Sequence, residues 1–281
     1  MVVFLNGKFV DERDAAVSVF DRSFLYGDGL FETVRVQNGK LFRFAQHIAR
    51  LTRGAEFLRL RIPYEPEALE SFAHALIEQN RIRDGVLRVH LSRGPSQRGY
   101  SIKGADKPTL VMTLTPHIRA VTEQLAQWRL ATASVRVPAG SAMAAYKTAN
   151  KLIQIVARIE AEEAGADDAL LLNTYGEVAE SASANLFWIG GGNVWTPPLS
   201  AGVLPGVTRA IVFELCTKLG LACGEQRIAR EKLYDQDGLF LTLSTLGIVE
   251  VVAIDGRRVR TSEVTTRLWR AYCDLLARET A

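Results

Sequence analysis

Several short stretches combine residue types and spacings that can do chemistry. Lys147 lies in "AAYKTANKLIQIVARIEAEEAG" (residues 144–165), which reads as a helix over 147–164 stopped by Gly165. A lysine at that end meets the positive pole of the helix macrodipole. The run before it, "VPAGSAMAA", is small and apolar. Both features disfavour the ammonium form, and a neutral amine is the nucleophile that bonds an aldehyde. Lys151, four residues on, reads as an ordinary helix lysine. In "YGEVAESASANLFWI" (175–189), Glu180 is surrounded by Ala179, Ser181, Ala182, Ser183 and Ala184. Such small neighbours let a planar ligand approach a carboxylate closely.

Other segments supply anion-binding groups. Gly206-Val207-Thr208 opens a helix over 206–220, and the N–H groups of a helix start bind phosphate, with a threonine hydroxyl as a further donor. Ser244 and Thr245 stand at a strand end in "LTLSTLG". Arg50, one turn from His47 on a helix over 43–60, offers a charge-assisted contact. "LSRGPSQRGYSIKG" (91–104) carries Arg98 and Tyr100, a guanidinium and a phenol suited to gripping a carboxylate.

The elements that must position these groups follow from turn signals and periodicity. Asn6-Gly7, Asn38-Gly39 and Asp255-Gly256 each separate apolar runs, as two-residue hairpin turns require. "LFWIGGGNVWTP" predicts another hairpin. Strands are predicted at 85–93, 108–116, 128–137 and 168–176. Helices are predicted at 43–60 and 66–82 from apolar spacing, and at 261–279, with Ser262 as cap. Many hairpins with interspersed helices argue for an α+β (mixed α/β) chain with mixed sheets, not a single doubly wound sheet. "TPHIRAVTEQLAQ" (115–127) lacks strand character and reads as a junction. This gives a small N-terminal α/β domain over 1–117, a linker over 118–127 and a larger domain over 128–281.

Composition narrows the classes. The chain has 281 residues, is 48% hydrophobic and 23% charged, and carries a net charge of +3. No block of like charge stands out, which argues against a nucleic-acid surface. No run approaches the ~18 apolar residues of a membrane span, and the N-terminus lacks the pattern of a signal peptide. Three cysteines without a C-x-x-C pair read as reduced thiols of a cytoplasmic protein.

Taken in order, "DRSFLYGDGLFETVRVQNGKLF", "HIARL", "SRGPSQRGYS", "YKTANKL", "GEVAESASANLFWI", "TPPLSAGVLPGVTR" and "FLTLSTLGIVEVVAIDG" resemble the fold-type IV pyridoxal-phosphate enzymes. That family contains branched-chain and D-amino-acid aminotransferases and aminodeoxychorismate lyase. The resemblance spans nearly the whole chain and implies a two-domain fold whose larger C-terminal domain binds pyridoxal 5'-phosphate. It implies that Lys147 bonds the cofactor aldehyde and serves as the catalytic base. Glu180 would face the pyridine nitrogen. Arg50, Val207, Thr208 and either Ser244 or Thr245 would hold the phosphate. Phe31, Thr33 and Arg35 would line the substrate pocket, with Arg98 and Tyr100 trapping the substrate carboxylate. In the family that loop often reaches in from a partner subunit, so a homodimer is implied. Substrates would be an amino acid and a 2-oxo acid, with a D-amino-acid type suggested by the Arg98–Tyr100 loop. "SRGPSQRGYS" and "FLTLSTLG" lean instead toward the lyase, which expels pyruvate to leave 4-aminobenzoate.

Overall fold

The dipeptides Asn6-Gly7, Asn38-Gly39 and Asp255-Gly256 each close a hairpin. Asn6, Asn38 and Asp255 have φ of 49°, 53° and 50°, followed by Gly7, Gly39 and Gly256 at 89°, 79° and 74°. Two successive positive φ values match the right-handed twist of the flanking strands. The computed structural model describes residues 1–116 and 124–281. Within them the chain separates into two compact units: Met1–Arg119 with Tyr146–Asn150 and Glu279–Ala281, and Ala120–Ala145 with Lys151–Arg278. Residues 118–123 of the expected linker lie outside the described residues.

The first unit contains β1 (Val2–Leu5), β2 (Lys8–Asp11), α1 (Arg22–Tyr26), β3 (Gly29–Gln37), β4 (Lys40–Leu41), α2 (Phe44–Leu58), α3 (Pro66–Asn80), β5 (Gly85–Ser92) and β6 (Thr109–Pro116). Its strands form a six-stranded antiparallel sheet in the order β2-β1-β6-β5-β3-β4. Alternation sorts its faces. Leu30, Val34 and Val36 of β3 join Leu87, Val89 and Leu91 of β5 in a core with Ile48 and Leu51 of α2 and Leu69 and Leu76 of α3. Phe31, Thr33 and Arg35 therefore point to the opposite face, across from His90, Arg88 and Val86 of β5.

The second unit contains β7 (Ala126–Val137), α4 (Leu152–Glu163), β8 (Asp168–Asn173), β9 (Val178–Ser181), β10 (Asn185–Gly190), β11 (Asn193–Thr196), α5 (Val207–Leu219), β12 (Cys223–Glu225), β13 (Gly238–Leu243), β14 (Gly247–Ile254), β15 (Arg257–Arg258) and α6 (Glu263–Glu279). Its nine-stranded sheet runs β12-β11-β10-β13-β14-β7-β8-β9, with β15 on β14. Pairs β11–β12, β14–β7 and β7–β8 are parallel and the others antiparallel, so the sheet is mixed, as the α+β reading requires. Phe187 of β10 stacks on Phe240 of β13 at 5.0 Å and meets Phe213 of α5 edge-on at 6.2 Å, which seats α5 on the sheet.

One element starts later than its sequence suggests. The helix expected from Lys147 begins at Leu152. Residues 146–150 spend their backbone groups elsewhere. The Phe31 N–H donates to the Lys147 carbonyl (2.9 Å), the Ala149 N–H donates to the Gly29 carbonyl (2.8 Å), and Thr148 bridges Leu30. Lys147 thus lies on an extended segment beside β3, and the macrodipole of α4 begins five residues downstream.

Candidate active site

The segment pairing fixes where the Lys147 side chain goes. Lys147 is half-buried, and its Nζ lies 4.7 Å from the centroid of the Phe31 ring. The Arg88 guanidinium lies 3.9 Å from the same centroid. An aromatic face attracts each cation, while the two like charges beside it create a positive locus suited to a carboxylate. Burial holds Arg88 below its ordinary pKa. Sequence reasoning missed Arg88; the signal that finds it is its place directly opposite Thr33 in the β3–β5 register. Thr33 is half-buried on the same face, and Arg35 is buried, donating through Nε to Gln37 at 3.1 Å.

On the helix side of the same strand lies another residue that sequence reasoning missed. Glu32 is fully buried among apolar neighbours. Arg50 grips it through Nε (2.8 Å) and Nη2 (2.6 Å), and His47 Nδ1 contacts it at 2.8 Å. Burial opposes ionisation of Glu32, but the hydrogen bonds from Arg50 and His47 outweigh it and bring the carboxyl to about 2. Burial also keeps His47 below its ordinary value, despite the nearby carboxylate, so the neutral ring donates Nδ1–H. Arg50 is therefore held on α2 with two of its donors fixed. The signal was a carboxylate in the core-facing phase of "GLFETVRV", which a stable fold tolerates only when paired.

This triad makes a pH-dependent prediction. A carboxyl brought from 4.5 to about 2 stabilises the fold above pH 4.5, and that stability is lost as pH falls toward 2. Glu32→Gln leaves Arg50 buried without its charge partner, which costs roughly 3–5 kcal/mol at pH 7. Urea denaturation should show that deficit at neutral pH and a shrinking difference from the parent protein below pH 4.5. An equal deficit at pH 7 and at pH 2.5 would refute the assignment.

In the second unit, Glu180 lies in β9 opposite Leu171 of β8. Its Oε2 accepts from Asn185 Nδ2 (2.9 Å) and from the Leu204 N–H (3.1 Å). The same Asn185 Nδ2 donates to the Leu204 carbonyl (2.9 Å). Asn185 thereby ties Glu180 to the loop that leads into α5. At the end of that loop stands Gly206, where an added Cβ would sit 2.0 Å from Asn185 Oδ1. Glycine is needed for this close approach rather than for an unusual φ, which is −67°. Gly206 provides no side-chain cap, and the first turn, with Val207 and Thr208 both buried, carries no acidic residue. Such a start presents backbone N–H groups to an anion. Ser244 and Thr245, expected at a strand end, lie half-buried in the turn between β13 and β14, one and two residues past the end of β13 at Leu243.

Arg98 and Tyr100 lie on an exposed loop of the first unit, Tyr100 being 87% exposed. Within the first unit the fold thus brings together Lys147, Phe31 and Arg88, and separately Glu32, His47 and Arg50. Within the second it brings together Glu180, Asn185 and the start of α5. Each unit carries groups of the kinds that pyridoxal phosphate would need: the first the Lys147 amine, the second the Glu180 carboxylate anchored by Asn185 and the uncapped start of α5.

Residues 29–254 match the family described as amino-transferase class IV. The chain belongs to the class IV aminotransferase family, and it is an enzyme of aminotransferase type. It is 36% identical over 279 residues to a putative branched-chain-amino-acid aminotransferase of Methanocaldococcus jannaschii, covering 98% of this chain and 96% of that protein. It is 31% identical to the aminodeoxychorismate lyase of Bacillus subtilis, covering 90% and 87%. The crystal structure of the branched-chain aminotransferase from Thermoproteus uzoniensis with norvaline matches with a TM-score of 0.92 and 30% identity, covering 99% of this chain and 95% of that one.

Proposed function

We propose that the protein is a homodimeric, pyridoxal-phosphate-dependent transaminase that moves the amino group of an aliphatic amino acid to a 2-oxo acid. The observation that carries this reading is the Glu180–Asn185–Gly206 connection. One asparagine joins an anchored carboxylate to an uncapped helix start, so the partner for a ring nitrogen and the seat for a phosphate are built as one piece. When bound, the cofactor supplies an electron sink beside the substrate Cα.

The chain's residues take the remaining roles. Lys147 would hold the cofactor through its aldehyde, and its amine would take the Cα proton of the substrate. Glu180 keeps the ring nitrogen protonated. Arg50, Val207 and Thr208, with a hydroxyl from Ser244 or Thr245, hold the phosphate. Phe31 and Thr33 shape the substrate side, with Arg35 behind them, and Arg88 adds positive charge for a carboxylate. Arg98 and Tyr100 grip the substrate carboxylate. The aliphatic preference draws on the two branched-chain aminotransferases above.

Support for the homodimer comes from α4. Its inward face is small, with Ala157 and Ala161 fully buried. Its outward face carries Leu152, Ile155 and Ile159, exposed by 67%, 52% and 50%. A helix that turns its large apolar residues outward calls for a covering surface, and a second copy provides one. Among the described residues, no helix is long and apolar enough to cross a membrane.

The lyase relative, together with "SRGPSQRGYS", favours a second reading, pyruvate release from aminodeoxychorismate. Both chemistries use the same cofactor groups, so the assay must decide. Purified enzyme is mixed with L-leucine, D-alanine or aminodeoxychorismate while cofactor absorbance and pyruvate are followed. Transamination predicts conversion of the bound cofactor to its amine form by L-leucine, with the matching 2-oxo acid released. Turnover of aminodeoxychorismate alone would overturn it.

A further inference from the structure

The loop carrying Arg98 and Tyr100 holds its shape through one buried arginine. Arg22 opens α1 and is 3% exposed. Its backbone is fixed on both sides. The Arg22 N–H donates to the Gly94 carbonyl (3.0 Å). The preceding Asp21 accepts from Ser92 Oγ (2.5 Å), Thr109 Oγ1 (2.8 Å) and the Ser23 N–H (2.8 Å). From this base the guanidinium reaches outward. Nε donates to Asp28 Oδ2 (2.7 Å). Nη1 donates to the Gly99 carbonyl (2.8 Å), the Ser101 carbonyl (3.2 Å) and Ser96 Oγ (3.2 Å), and Nη2 to the Tyr100 carbonyl (3.4 Å).

Three consecutive carbonyls thus converge on one side chain, a task suited to the planar fork of arginine and not to the point charge of lysine. Tyr26 completes the clamp. Its hydroxyl accepts from the Gly99 N–H (3.1 Å), and its ring lies 5.1 Å from the Arg22 guanidinium and 5.6 Å from the Tyr100 ring. Asp28 is held in turn by Arg93, through Nε (2.8 Å) and Nη2 (3.0 Å), and Arg93 also donates to the Leu58 and Arg59 carbonyls at the end of α2. The loop has no regular secondary structure of its own.

We propose that Arg22 is a positioning residue for substrate recognition: by gathering residues 96–101, it sets the reach of Arg98 and Tyr100 and so the affinity for the substrate carboxylate. The proposal rests on the reading that these two residues grip that carboxylate. Arg22 touches neither substrate nor cofactor, and its effect falls on KM rather than on kcat.

The test uses the holoenzyme with Arg22→Lys, Arg22→Met, Tyr26→Phe and, as a direct comparator, Arg98→Gln. Arg22→Lys keeps the charge beside Asp28, so the fold survives even where Arg22→Met does not. In Arg22→Lys the ammonium cannot hold all three carbonyls, which raises KM for L-leucine and Ki for 4-methylvalerate about tenfold, while kcat stays within about threefold. Ki for the uncharged amide of the same acid stays unchanged. Trypsin cleaves after Arg98 faster than in the parent at the same thermal midpoint, and Tyr26→Phe shifts KM in the same direction by less. Unchanged KM and cleavage in Arg22→Lys, with Arg98→Gln raising KM, would overturn the positioning role and leave the loop reading intact. Unchanged KM in Arg98→Gln would overturn both.

Discussion

On the proposed assignment, Lys147→Ala abolishes transamination, lowering kcat/KM by on the order of 10⁴-fold or more, because one amine would both bond the cofactor and move the Cα proton. The change is specific to chemistry. Lys147 is half-buried on an extended segment, and that segment is held by its backbone bonds to Phe31 and Gly29, which alanine keeps. Alanine removes the ammonium from the face of the Phe31 ring, an interaction worth about 1 kcal/mol. The variant therefore folds and binds the cofactor without the visible absorbance of the lysine-bound form. Lys147→Arg separates charge from reactivity. It restores a cation over Phe31 and leaves activity as low as alanine does. Steady-state rates with L-leucine and a spectrum of the purified holoenzyme check both variants, and retained activity in either would remove Lys147 from its role.

Glu180→Gln produces the second large effect. A glutamine oxygen can still accept from Asn185 Nδ2 and the Leu204 N–H, so the local geometry persists. On the proposed assignment, what disappears is the negative charge that would keep the ring nitrogen protonated. A preorganised charge of this kind is worth on the order of 10²–10³-fold in kcat. Cofactor affinity changes far less, because the start of α5 is untouched. Stopped-flow measurement of the half-reaction with L-leucine isolates the proton-transfer step, and a rate within about threefold of the parent would contradict the assignment, given the size of effect expected.

Local features of the fold were legible in the residues themselves. Asn6-Gly7, Asn38-Gly39 and Asp255-Gly256 mark three hairpins because only a few residue types accept two positive φ values in succession. The glycines around α5 mark its ends, since Gly206 and Gly220 flank Val207–Leu219. What stayed hidden depends on residues far apart in sequence. Nothing near Lys147 announces that Phe31 and Gly29, more than a hundred residues earlier, hold its segment out of a helix. The pattern of residues 152–159 is helical in either case, so periodicity does not mark the start of α4. Glu32 looks like one charge in a strand until α2 brings Arg50 and His47 to it. Arg22 fastens carbonyls 77 to 79 residues away, and such pairings leave no mark on either sequence segment. The site motifs were visible because their chemistry demands specific residue types; the residues that brace them were not, because bracing is a property of three-dimensional packing.

Every role assigned above depends on Lys147 carrying the cofactor. Reduction of the purified holoenzyme with borohydride, followed by peptide mapping by mass spectrometry, tests this directly. The expected result is a reduced pyridoxal-phosphate adduct on Lys147 and none on Lys151, four residues away in the same peptide region. An adduct on Lys151, on any other lysine, or on none would contradict it.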